Sequence, residues 1–380
     1  MAGIINLSIN QGWDIWVTTL MAYPLRYELI LAQTYHDFPF VNELFRKDRI
    51  EEQSGVAVAW QIVAKQPTAS TFTTSYAPTT RTVTDLTVTA SIPWTMQTNN
   101  YSITIEEIQM NQEPSRLIDE SKKRAAAMMV KFCEDAEAAA WGTLANSSDV
   151  THPYGMKYLF PAITGAQVTA IAAGTSTQGF LGQNPVYTDA NSASTWCGVD
   201  RTATPYALTK SFCGSWSNSA GDWNDADVDN MSDAFMQLRF RTPRNAKGLP
   251  PEQESGFVVW ANRTSCVRAA AKARRNNQIV DRVGGGTADL ARFNGETYIN
   301  GFPIRYVGGY NDTDTSNPIF LLNHNYIKPV VRKGDFFRET TPPPSQELHR
   351  VISTYVDLAV NYMVSDPRRA GGIMSYVAAA

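Results

Sequence analysis

Apolar and polar residues alternate with a period of two over long stretches of this chain. The clearest stretch lies in the last fifth, from about Leu348 to Val364. Its apolar side holds Leu348, Ile352, Val356, Leu358, Val360, Tyr362 and Val364. Strict alternation predicts a half-buried strand. The apolar runs Ile319 to Leu322 and Lys328 to Arg332 predict two shorter strands before it. A Pro-rich break, Pro342 to Pro344, separates them from the long strand, and Asp366-Pro367-Arg368-Arg369-Ala370 closes it.

The same alternation marks two arms nearer the N-terminus. Val56, Val58, Trp60, Ile62 and Ala64 form the apolar side of the first arm. Leu86, Val88, Ala90, Ile92, Trp94 and Met96 form that of the second. A Thr-, Ser- and Pro-rich turn, Pro67 to Thr80, lies between them, so the pattern predicts a long antiparallel hairpin. Pro93 cannot donate to a ladder, which predicts a free edge at that point. A two-stranded ribbon is marginal alone in water; it needs a partner surface, and another subunit is one candidate.

Helical periodicity takes over from Pro114 to about Leu144. Ile118, Ala125, Met129, Phe132, Cys133, Ala136 and Ala140 recur on one stripe. Lys122, Lys123, Lys131, Glu134 and Glu137 lie mostly off it. A rod of roughly 45 Å follows from a rise of 1.5 Å per residue. Val228, Met231, Phe235 and Leu238 mark a second helix, about Val228 to Arg241. A strand Phe257 to Trp260, a helix from about Thr264 to Asn276 and a strand-turn-strand unit around Gly301-Phe302-Pro303 complete this half. Residues 15 to 35 read as a short helical arm broken at Pro24, and Phe38 to Phe45 as an apolar patch. About Gly165 to Gly221 is polar but carries Trp196 and Trp216. That segment reads as an irregular surface insertion, with too many aromatics for disorder.

Composition narrows the class. The chain has 380 residues and a net charge of −3, enough length for two or three domains. The overall basic footprint of a nucleic-acid reader is absent. Cys133, Cys197, Cys213 and Cys266 form no CxxC pair, and free thiols are the expected state, with a Cys197–Cys213 bridge as the alternative in an oxidising compartment. The N-terminus has no basic region ahead of an apolar run, so no signal peptide is read there. The uncharged run Tyr158 to Thr188 is too rich in Gly, Thr, Gln and Pro for a membrane helix; a soluble protein is expected.

Candidate chemistry is sparse. Asp225, Asp227 and Asp229 alternate like the start of a calcium loop, but Asn230 and Met236 stand where such a loop wants Gly and Glu. Acids at a helix N-terminus explain them better. His36, His152, His324 and His349 are isolated. No GxSxG or GxxxxGK[ST] is present, and Gly284-Gly285-Gly286 reads as a loop. No enzyme, metal or cofactor is expected.

Taken in order, these elements resemble the fold of tailed-bacteriophage major capsid proteins, which encapsulins share. Residues 53–105 resemble its extended β-hairpin loop, and residues 112–144 its spine helix. Asp227 to Phe240 is similar to the helix that opens its axial domain. Phe257-Val258-Val259-Trp260-Ala261-Asn262-Arg263 resembles the strand-to-helix step there. Ile299 to Val307 resembles the G-hydrophobic-P hairpin, and Val351 to Ile373 the C-terminal strand and tail. The resemblance implies an α+β capsid fold in five parts. These are an N-terminal arm (1–52), the hairpin (53–105), a peripheral domain with spine helix and polar insertion (106–225), an axial domain (226–345) and a C-terminal strand returning to the peripheral domain (346–380).

The function so implied is a shell of hexamers and pentamers around packaged double-stranded DNA, assembled in the host cytoplasm and found in the virion. A separate scaffolding protein or none, a portal and decoration proteins are the partners the resemblance implies. Trp60, Lys65, Arg81 and Trp94 are the candidate subunit contacts. Some relatives carry an isopeptide-forming lysine on this hairpin, the role Lys65 could be asked to fill, although no partner Asn and acid is visible. Arg268, Lys272, Arg274 and Arg275 form a basic helical run, read as a solvated or intersubunit face, with DNA phosphates as the sharper alternative. An encapsulin-like compartment and a carbohydrate-binding protein, the latter suggested by nine tryptophans, are the alternatives.

Overall fold

The computed structural model describes residues 39–46, 49–65, 85–110, 114–162, 178–181, 184–185, 187, 195–201, 208–217, 223–239, 256–280, 292–293, 296–299, 302–307, 317–341 and 350–377. The arm expected at 15–35, the turn Pro67 to Thr80, Arg81, the glycines 284–286, the prolines 342–344 and most of the polar insertion lie outside these residues. In chain order the elements are α1 (Pro39–Leu44), β1 (Glu51–Gln53), β2 (Ala57–Val63), β3 (Thr87–Pro93), β4 (Thr95–Thr104), α2 (Ile105–Met110), α3 (Pro114–Trp141) and α4 (Met156–Leu159). Next come β5 (Phe212–Ser217), α5 (Asp225–Leu238), β6 (Phe257–Ala261), α6 (Arg263–Val280), β7 (Arg292–Phe293), β8 (Glu296–Ile299) and β9 (Phe302–Tyr306). The last are β10 (Ile319–Asn323), β11 (Ile327–Arg332), β12 (Arg338–Thr340), β13 (Val351–Val364), α7 (Pro367–Ala370) and β14 (Gly371–Val377).

Two sheets and a ribbon organise them. In the first sheet β13 pairs with β4 along one edge and with β11 and β12 along the other, and β1 adds parallel to β11. The second sheet runs β5-β14-β10-β6-β9-β8-β7. It therefore draws β5 and β14 from outside residues 226–345. The ribbon is β2 with β3, in the register the alternation predicts.

Two of the chain's passages between the sheets touch. β10 lies in the second sheet and β11 in the first; β13 lies in the first and β14 in the second. Where they cross, the Ser365 N–H and Oγ both donate to the Tyr326 carbonyl, at 3.0 and 3.1 Å. Beside them the buried His324 ring accepts from Trp260 Nε1 at 2.8 Å through Nε2. That ring is neutral with its proton on Nδ1: burial, with Arg49, Arg305 and Arg46 nearby, holds its pKa down to about 3.

Helix α3 ties the sheets a third time. At about 1.5 Å per residue its 28 residues span about 42 Å. Phe132 packs with Val331, Leu358 and Val360 of the first sheet. One end of the helix, Trp141, meets Phe320 of the second sheet at 5.2 Å and Phe40 at 4.6 Å. Its buried stripe holds Phe132, Ala136 and Ala140 as expected, with Met128 in place of Met129, which is exposed. Glu134 and Glu137, expected outside, are buried. Glu137 Oε2 accepts the Val41 N–H at 2.8 Å, so it serves an N–H of the first turn of α1.

Three further differences from the sequence expectation have physical causes. The second hairpin arm ends at Pro93: β4 leaves the ribbon and pairs with β13 from Thr95 onward. The alternation changes phase at that switch, so Met96 is exposed and Thr95 buried. Phe212–Ser217, inside the expected surface insertion, is a buried strand, and Trp196 and Trp216 are core residues. Small and polar residues (FCGSWS) hid it, because strand pairing on β14 needs no apolar run. The tail continues as β14, whose Gly371 and Gly372 pass too close to Leu321 and Phe212 for any side chain.

A Cβ at Gly371 would stand 2.0 Å from the Leu321 carbonyl oxygen, and its φ is +136°. Gly371→Ala is expected to cost more than about 2 kcal/mol of subunit stability in urea unfolding. Gly334→Ala, at φ +89° with open space around it, is expected to cost only about 1–2 kcal/mol. Equal costs for the two would contradict the close-packing argument.

Candidate assembly surface

Alternation gives the ribbon one buried and one open face. Val58, Trp60, Ile62, Ala64, Ala90 and Ile92 are buried, while Ala59, Gln61, Val63, Thr87, Thr89 and Ser91 are exposed. Ala64 N–H donates to Leu86 O, directly opposite. Every second pair from there is hydrogen-bonded, so Ala57 and Pro93 form a non-bonded pair. The missing N–H of Pro93 thus costs no bond within the ribbon. Its carbonyl points outward and accepts from Asn361 Nδ2 at 2.8 Å. Ser91 N–H, on the same outer edge, donates to Cys197 O at 2.9 Å.

The hairpin's candidate contacts divide by position. Trp60 is inside the subunit's own core, and its Nε1 donates to Val364 O at 2.8 Å. An indole so occupied anchors the ribbon's root. Trp94 is half-buried at that root, and its Nε1 donates to Gly55 O at 3.0 Å. Lys65 is half-buried at the end of the first described arm, and Arg81 lies outside the described residues.

The basic run on α6 turns partly inward. Arg268 lies over the Trp216 ring at 5.5 Å, and Lys272 is paired with Asp225. Arg274 and Arg275 continue the same helix. Asn262 caps that helix by accepting the Ser265 N–H at 2.9 Å. The acids once comparable to a calcium loop sit at the start of α5. Asn224 and Asp227 form a capping box there, and Asp225 is the partner of Lys272.

Sequence reasoning passed over α2. Thr104 Oγ1 accepts the Glu107 N–H and Glu107 Oε2 accepts the Thr104 N–H, at 3.2 and 3.1 Å. Thr104-x-x-Glu107 is the legible signature of this reciprocal cap. Arg124 on α3 then grips both oxygens of Glu107, at 3.0 and 2.8 Å. No residue of α2 is buried, and Met110 is 83% exposed.

Reactive groups are shut in. Cys197 and Cys213 are buried free thiols, and burial pushes both thiol pKa values up. Arg201 between them stacks on Trp196 at 3.9 Å and donates to Ser211 Oγ. Among the described residues no group of three His, Cys, Asp or Glu could hold a metal ion. No described helix is long and apolar enough to cross a membrane.

No protein-family model matches the sequence, and no curated protein matches it. Solved structures do match. The capsid asymmetric unit of cyanophage A-1(L) aligns with a TM-score of 0.56 at 13% identity, over 93% of this chain and 97% of the other. The capsid of an empty GTA particle aligns at 0.52 and 16%, over 99% of each chain. The capsid asymmetric unit of cyanophage Pam1 aligns at 0.50 and 15%, over the full length of both. At these identities the likeness concerns the fold, and over nearly its whole length the chain has the fold of phage major capsid proteins.

The Arg124 guanidinium, with the Thr104 N–H, lowers the pKa of Glu107 to about 2 from its ordinary value near 4.5. A depressed carboxylate stabilises the fold above its ordinary pKa and loses that contribution as pH falls through the folded one. The melting-temperature difference between the parent and Glu107→Gln is therefore expected to shrink between about pH 4.5 and pH 2. A difference constant across that window would contradict the pairing.

Proposed function

We propose that the chain is a structural shell subunit, a major capsid protein that assembles with copies of itself around double-stranded DNA. The observation that carries this reading is the full-length match of its fold to phage capsid subunits. In it, the first sheet with α3 as spine forms the peripheral part, and the second sheet forms the axial part around a symmetry axis. Hexamers and pentamers are the expected units. The ribbon reaches over a neighbour through its exposed face and through the outer-edge backbone groups of Gln61, Val63, Thr87 and Thr89. Unpaired edges of this kind favour pairing with another chain. The role is structural rather than catalytic, with the virion as its location. A net charge of −3 suits a container that holds DNA without gripping it. Scaffolding, portal and decoration proteins belong to the same reading as outside partners.

Purified protein examined by analytical ultracentrifugation and negative-stain microscopy tests this. Rings of five or six subunits, or closed particles tens of nanometres wide, are expected. A compact monomer that never assembles would overturn the reading. Closed particles holding a protein cargo and no nucleic acid would replace it with the compartment function.

A further inference from the structure

Two apolar surfaces lie at opposite ends of the β4–β13 ladder. The first is at the root of the ribbon. Pairing of Ala57 with Pro93 brings Val56 beside Trp94, and Met96 follows two residues on. Val56 is 98% exposed and Met96 52%. Met96 stands opposite Ala359, and continuing the β11–β13 register by one residue puts Arg332 in the same row. Two residues further on, Thr98, Asp357 and Arg338 make the next row on that face. Arg332 and Arg338 share Asp335, which is the more buried partner of each pair, so their guanidinium groups rim the apolar spot.

The second surface is α2, which follows the ten residues of β4. At about 3.3 Å per residue it is roughly 33 Å away. Ordering backbone costs about 1–2 kcal/mol per residue, and α2, with no fully buried residue, returns little of this through burial. It is nevertheless pinned by the Thr104–Glu107 cap, by Arg124 on Glu107 and by Arg350 on Glu106. Met110 is thus held in a fixed position on the outside, with the half-buried Ile108 beside it. Rigid presentation of an uncovered apolar side chain is what a docking contact needs.

We propose that a second copy of this chain covers both surfaces. Ile108 and Met110 of one copy seat against Val56, Trp94 and Met96 of the next, with Glu106 drawn toward Arg332 and Arg338. The two surfaces differ and lie at opposite ends, so the contact is head to tail. Repeated, it closes into a ring or continues as an open array. Each surface is a few residues, far below the total area of about 1,200–2,000 Å² of a stable isolated interface. That size fits a contact repeated many times and not a lone partner. The proposal rests on the shell reading and names the segments that meet within it.

Met96→Cys and Met110→Cys proteins, assembled alone and as a mixture, then oxidised and run on non-reducing gels, test it. A dimer band from the mixture is expected, absent from either variant alone and from the parent. The double variant is expected to give a ladder of multimers. Particles that form without the mixed dimer, or that link equally in a single variant, would overturn this contact and leave the shell reading intact. A parent that never assembles would remove both. Met110→Glu adds a second readout: fewer particles at an unchanged subunit melting temperature.

Discussion

Two strands change sheets side by side, and much of the described core is arranged around that place. β10 passes into β11 as β13 passes into β14, and Ser365 holds Tyr326 across the gap. A backbone that crosses between sheets leaves polar groups in an apolar interior, and each must find a partner. Here they find one another. His324 adds an N–H to the Gly256 carbonyl and a neutral ring nitrogen to Trp260. Because each sheet contributes a strand to both crossings, neither sheet can shift without stretching a bond in the other. The result is one plate made of two sheets, and α3 lies across both as a brace.

The ribbon is an outgrowth of the same place. Trp60 hands its indole proton to the carbonyl of Val364, the last residue before the crossing. Asn361 holds the Pro93 carbonyl where the ribbon gives way to β4. In the proposed shell, an arm rooted at this crossing would carry a neighbour's pull into the subunit. Such coupling is useful in a shell, where weak contacts gain strength by closing on one another. The polar caps of α2 serve a related end, since they fix the far end of the long ladder without adding core.

Much of this was legible in the sequence, for a physical reason. Period-two alternation survives wherever one sheet face is wet. Hence β2, β3 and the first half of β13 were readable. Legibility stopped where both faces are covered. From Leu358 to Val364 every residue of β13 is buried, and β5 and β14 carry glycine, serine and cysteine against neighbouring backbone. Glu137 looked like a solvent residue because its partner, the Val41 N–H, lies 96 residues away. The basic run on α6 looked like an outward stripe because Trp216 and Asp225 come from elements no local pattern connects to it. Met96 continues the ribbon's alternation in sequence but belongs to β4, on the far side of the proline. The α2 cap was written plainly as Thr104-x-x-Glu107, but its value depends on Arg124, seventeen residues away.

Native-state hydrogen exchange tests the joined plate most directly. If the crossings bind the sheets into one unit, the amides of Leu321, Ser365 and Ile373 should open together, with one free energy close to that of global unfolding. Exchange of the β10–β14 amides by a separate, lower-energy opening, while Ser365 and β13 stay protected, would show two sheets that merely touch and would contradict the account.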